Sequence, residues 1–241
     1  MTEDDRARAT AETVSGLTSA FMLDGATYMA GIGLGFEAID FYFCGRAGVL
    51  GEVDPAIVTA ALGFFHPDTV ARSWTNGRTV VPLPEAAQAF AGCGERWADA
   101  HLGDDVDWAR LRDLASAVIA SASVIGAPLF AGWRAMPVPA DPKQAAHHQL
   151  NVLRELRLAR HVAAVVAVGL DPGDAVRHRS PHMLAIFGWE PAELGPGTVA
   201  RWDEAEALTD RATAHDYGVL SDGEAAELVD LCGAASASVT A

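Results

Sequence analysis

No stretch of this chain alternates apolar and polar residues as a half-buried strand does. The one β-like piece, RTVVPLP (78–84), carries two prolines that keep it out of a central sheet. Helix punctuation recurs instead. Asp54-Pro55 precedes AIVTAALGFF, a capping side chain followed by proline at the first helical position. His66-Pro67 opens DTVARSW, which closes near the Asn76-Gly77 turn; Leu83-Pro84 opens EAAQAFAGCGERWADAHLG; Asp107 opens WARLRDLASAVIASASVIG, which stops at Gly126. Downstream, Ser180-Pro181 opens HMLAIFGW, Glu190-Pro191 opens a further short element, and DRATAHDYGVL and DGEAAELVDLCG read as the last two helices. The pattern predicts an all-α, multi-helix fold of about eight to ten helices.

MPVPADP (136–142) is the best linker, because three prolines in seven residues favour extended backbone. It divides an N-terminal helical subdomain, 13–136, from a C-terminal one, 141–232. The small, polar GAASASVTA predicts a frayed tail over 233–241. After the linker, Pro142 starts a long helix over 143–168, with Gly169 as its C-cap.

That long helix holds the most informative stretch, HHQLNVLRELRLARH (147–161). From Lys143 to Arg160 there are four Lys/Arg and one Glu, whereas the whole chain is at −15. At about 100° per residue, Leu150, Arg154, Arg157 and His161 fall within a sector of roughly 60°. His148, Val152, Glu155, Ala159 and Val162 lie nearly opposite. A guanidinium among Leu and Val must be paired or hydrogen-bonded. Two readings stay open: ion pairs to neighbouring helices, or an anion pocket matched to the planar fork of arginine. A second polar point lies in FEAIDFYFCGRAGVLGEVDP (36–55). There Arg46 follows an aromatic run and can stack on Tyr42 or Phe43, or pair with Asp40 or Glu37.

Charge and composition narrow the function classes. With 32 acids against 17 bases, the chain is repelled by DNA and by anionic membranes unless a local basic patch overrides the field. The acids crowd into 190–230, which holds eleven of them against Arg201 and Arg211. Three scattered cysteines make no disulfide framework. The polar MTEDDRARAT does not read as a secretory signal, and no apolar run reaches membrane-spanning length, so the cytoplasm is the expected location and no membrane partner is expected. No nucleotide loop, CxxC, HExxH or nucleophile elbow is present, so no metal is expected and the cofactor stays unknown. His147 and His148 point about 100° apart, and Pro181 interrupts the His178/His182 pair. Cys44 beside Arg46 reads as a small core residue before it reads as a nucleophile.

The segments 41–70 and 147–171 resemble an actinobacterial family described as helix-turn-helix or MarR-like. In that family the first segment runs close to GYFAGRAAPLG and the second close to WHAATLLREHRGDGHVAAL. The likeness falls on Tyr42, Phe43, Gly45, Arg46, Leu50, Gly51, Phe65 and Pro67, and on His148, Leu153, Arg154, Glu155, Arg157 and His161. Gly188-Trp189 and Thr209-Asp210-Arg211 match later motifs. The resemblance implies a winged DNA-binding region after Trp189. Here EPAELGPGTVARWDEAEAL stands in its place, acidic and without a hairpin, so 141–232 is expected to be a degenerate winged-helix-like unit and a poor DNA reader. Val49 replaces the proline of the first motif, and His147-His148 replaces Trp-His.

The resulting expectation is a protein that binds a small anionic molecule between the Arg46 turn and the helix 143–168. Its binding residues would be Tyr42, Arg46, His148, Arg154, Glu155, Arg157 and His161. The alternatives are a MarR-like DNA-binding regulator and an enzyme with His148 or His161 as acid/base. DNA is a partner disfavoured by charge, and a homodimer stays open.

Overall fold

The computed structural model describes residues 2–37 and 39–240. Among them are thirteen α-helices and no strand, in keeping with the all-α expectation. In chain order they are α1 (Glu3–Leu23), α2 (Gly25–Leu34), α3 (Asp40–Ala47), α4 (Pro55–Leu62), α5 (Pro67–Gly77), α6 (Leu83–His101) and α7 (Trp108–Ser121). There follow α8 (Pro128–Arg134), α9 (Pro142–Ala167), α10 (Pro172–Arg179), α11 (Leu184–Phe187), α12 (Thr198–Asp216) and α13 (Asp222–Ala237).

The starts follow cap chemistry. Asp54 accepts from the Ala56 N–H ahead of α4. Asp141 accepts from the N–H groups of Lys143 and Gln144 with Pro142 in the first turn of α9. Thr2 with Asp5, and Ser221 with Glu224, close reciprocal capping boxes on α1 and α13. Each such side chain satisfies amides that have no partner within the helix.

Two expectations are corrected. Glu190-Pro191 opens no helix, and α12 begins only at Thr198. Residues 233–237, expected to fray, complete α13 because Cys232 and Ala235 are buried, and Val239 then bridges to Leu102. RTVVPLP forms no strand, as its prolines imply.

The 26-residue α9 is the axis of the molecule and packs against α1, α6, α7, α8 and α12. One apolar cluster runs from Val14 to Ala235 and takes residues from both sides of the 136–142 linker, with Trp74, Phe90, Phe130 and Trp133 fully enclosed. Two glycines set α3 on α6 and the end of α4 on α9. A Cβ on Gly45 would stand 2.6 Å from Phe90, so α3 lies close on α6. Gly63 ends α4 with φ +75, and a Cβ there would stand 2.4 Å from Val162 of α9. The chain then reverses through Phe64, Phe65 and His66 into α5. Phe64 stacks on His161 of α9, with ring centroids 5.3 Å apart. Phe65 packs on Phe43 and Phe187. The Trp189 indole N–H donates to the Phe64 carbonyl at 2.7 Å.

Candidate functional site

Arg46 lies in the last turn of α3 and is buried. Its Nε and Nη2 donate to the two oxygens of Glu155 at 2.8 and 2.9 Å, a bidentate pair between α3 and α9. Its Nη1 donates to the Tyr42 hydroxyl. Its own carbonyl accepts from the Trp133 indole at 2.9 Å. Arg154 Nη1 donates to the same Glu155 oxygen at 3.0 Å. Two guanidiniums therefore share one carboxylate whose side chain is 0% exposed. Burial opposes the charge on Arg46, yet Glu155 and Tyr42 hold it protonated above the ordinary guanidinium range. Burial likewise opposes the Glu155 charge, and Arg46 and Arg154 still keep it below the usual carboxylate range. Arg154 has the opposite balance: burial, then repulsion by Arg46, push it down despite Glu155.

The other arginines of α9 meet the acids of α12. Arg157 Nη2 donates to Asp210 at 2.8 Å and Glu206 at 3.2 Å. Arg160 grips Asp216 with two bonds of 2.8 and 2.9 Å. Arg8 of α1 donates to the second Asp210 oxygen at 2.8 Å. The acid-rich stretch noted in the sequence thus faces the basic stretch, and much of the charge on each helix cancels within the fold.

His161 sits beside these pairs. Its Nδ1 lies 3.0 Å from the Thr209 hydroxyl. That hydroxyl already donates to the Ala205 carbonyl at 2.7 Å, so it accepts from His161. The proton is therefore on Nδ1, and Nε2 keeps its lone pair. Burial, reinforced by Arg157 and opposed by Asp210, holds His161 down to about 4. The ring is edge-on to Trp202 at 5.2 Å.

Between Arg46 and α9 the Glu155 carboxylate takes both Arg46 donors, the position an anion would occupy. The open cleft, about 1020 Å³, lies on the Arg154–Arg157–His161 sector, walled by α1, α9, α10 and α12. Arg8, His178, Arg179 and Trp202 add to its lining, with Glu12, Asp203 and Glu206 on the acidic side. Arg179 makes no hydrogen bond or ion pair among the described residues. The structure thus joins Tyr42, Arg46, Arg154 and Glu155 in one network, and Arg154, Arg157 and His161 on one cleft wall. Arg154 belongs to both.

His148 stands apart. It is buried against Trp133, with ring centroids 6.1 Å apart, and burial holds it down to about 4. With His147 and Asn151 it lines a small void of about 10 Å³. Cys44 is buried as well, and burial, then Asp40 and Glu52, push its thiol up to about 12, which suits a core residue and not a nucleophile. Among the described residues no three His, Cys, Asp or Glu side chains cluster as metal ligands. No described helix is long and apolar enough to cross a membrane.

Sequence reasoning passed over Arg8, Arg179, Trp202 and Glu206. The signal for Arg179 was the run Arg177-His178-Arg179 within a largely acidic chain.

Fold and site together define an all-helical protein with an arginine-walled cleft along its central helix. The chain belongs to a helix-turn-helix family, which it matches over residues 6–198. No curated protein and no solved structure matches it.

Proposed function

We propose that this protein binds a small anion in the cleft between α1, α9, α10 and α12. One observation carries the reading: Arg154 faces the cleft while sharing its carboxylate with buried Arg46, so the wall holds a cation that Glu155 alone does not neutralise. An entering carboxylate or phosphate supplies the second anion. Arg157 and Arg179 line the same space, and His161 offers an Nε2 acceptor that stays neutral at pH 7, which suits a hydrogen-bonded ligand hydroxyl or amide. Tyr42, Arg46 and Glu155 act behind Arg154 by holding it in place, and His148 lies too deep to touch a ligand in the cleft.

Calorimetric titration with inorganic phosphate and with citrate tests this on the wild type and on Arg154→Met. Loss of a charge-assisted hydrogen bond of about 1.5–3 kcal/mol weakens binding roughly 10- to 100-fold. Equal affinity in a folded Arg154→Met protein removes the reading.

A second reading, a MarR-like DNA-binding regulator, is favoured by family membership and by the unit α4–turn–α5. There an eight-residue helix, a turn opened by Gly63 and an eleven-residue helix follow one another. α5 leaves Arg72, Thr75 and Asn76 exposed, as an element entering a groove would. Under this reading the anion of the cleft is the effector. A gel shift with genomic fragments at low salt tests it, since phosphate contacts strengthen as salt falls.

A further inference from the structure

Among the described residues, exposed large apolar side chains concentrate on one helix. Leu23, at the end of α1, is 60% exposed, and Tyr28, Met29 and Ile32 of α2 are 51%, 61% and 41% exposed. α2, GATYMAGIGL, has no charged side chain in a chain of net charge −15. Its inner face is accounted for, since Thr27 and Gly31 are buried and Gly31 packs directly on Phe41. Its outer face is not. Gly25 and Gly33 lie on it, and a Cβ at either would meet nothing within 4 Å. Gly33 lies within the helix, where glycine weakens it relative to alanine, and no neighbour within 4 Å explains it. Beside the helix runs a mainly apolar groove of about 330 Å³, walled by Leu23, Tyr28, Ile39, Phe41 and Ile186, with the capping Asp24 at its edge.

We infer that α2 is the surface on which two copies of this chain associate, helix against helix across a two-fold axis. The ridge of Met29 and Ile32 on each copy enters the groove of the other, and Gly25 and Gly33 let the backbones approach. A two-fold contact requires a self-complementary patch, which a ridge beside a groove of the same apolar character provides. Charge selects a second copy over other occupants. Two chains at −15 repel wherever their acidic surfaces meet, whereas α2 has no charged side chain and the groove beside it carries Asp24 alone, with its carboxylate turned to the Ala26 N–H. The absence of Lys and Arg on this helix also denies it the basic flank by which surface helices hold anionic lipid. Half-exposed side chains of this size present on the order of 100 Å² each. Two such faces with their groove walls bury about 1,000 Å², enough for a specific if modest interface.

Sedimentation velocity over a concentration series is the test, on the wild type and on Met29→Glu/Ile32→Glu. Both substitutions are on the solvent side, and circular dichroism checks that the variant folds. The expected result is a wild-type species of twice 25.3 kDa at the upper concentrations and a folded variant that stays at 25.3 kDa. A wild type that stays monomeric throughout overturns the inference. So does a folded double-glutamate variant that still dimerises. A monomer that instead floats with neutral phosphatidylcholine vesicles also overturns it and assigns α2 to a lipid surface.

Discussion

Glu155→Gln deletes the charge that Arg46 and Arg154 share, with little change of shape. Arg46 then keeps the Tyr42 hydroxyl as a neutral partner, and its guanidinium, 3% exposed, has no route to water. Removing one member of a buried pair costs about 3–5 kcal/mol, because the remaining charge is stranded. For a chain of this size each kcal/mol lowers Tm by about 2–4 °C, so a fall of roughly 6–20 °C is expected. Urea unfolding followed by circular dichroism measures the loss, provided the slope against denaturant is unchanged. The combined variant Arg46→Met/Glu155→Leu supplies the contrast. It removes both buried charges, leaves Arg154 able to turn toward the cleft, and should recover most of the stability. A loss below about 1 kcal/mol for Glu155→Gln, the range of an exposed pair, refutes the reasoning.

Stability should also fall between pH 6.5 and 4. Burial holds His147, His148 and His161 down to about 4, so below the unfolded value near 6.5 the unfolded chain takes up protons that the folded chain refuses. The contribution is complete above pH 6.5 and is lost toward pH 4, by up to about 1.4 kcal/mol per pH unit for each histidine. A flat unfolding free energy from pH 7 to 5 contradicts this. Glu155, with its pKa lowered, adds a further loss only below the unfolded carboxylate value of about 4.3. Gly63→Ala forces an L side chain to φ +75 and its Cβ against Val162, and should cost about 1–3 kcal/mol, partly restored by Val162→Ala. A neutral thermal melt for Gly63→Ala would show that α4 and α9 can move apart.

The helix starts were legible because they are local. Asp54-Pro55, His66-Pro67 and Asp141-Pro142 carry both the capping side chain and the fixed φ within two residues, and each opens a helix. The helical wheel of 147–161 separated Arg154, Arg157 and His161 from His148, and the cleft wall keeps that division. Partners were not legible, since Arg46 and Glu155 are 109 residues apart and Arg157 and Asp210 are 53 apart. Nothing in the spacing of either partner points to the other. Opposite charge on 143–160 and 190–230 was the available clue, and it points to helices facing each other across the fold. The place of the cavity was beyond the sequence for the same reason. Glu155 satisfies Arg46, and the open space along α9 lies on its Arg154–Arg157–His161 sector instead.

The most direct test of the anion cleft is native mass spectrometry of the freshly purified protein, beside a denatured sample and the Arg154→Met variant. The account predicts a small non-covalent mass on the native wild type that leaves on denaturation and is absent from the folded variant. A bare 25.3 kDa chain, or its simple multiple, in all three samples, with no affinity for added phosphate or citrate, would contradict it.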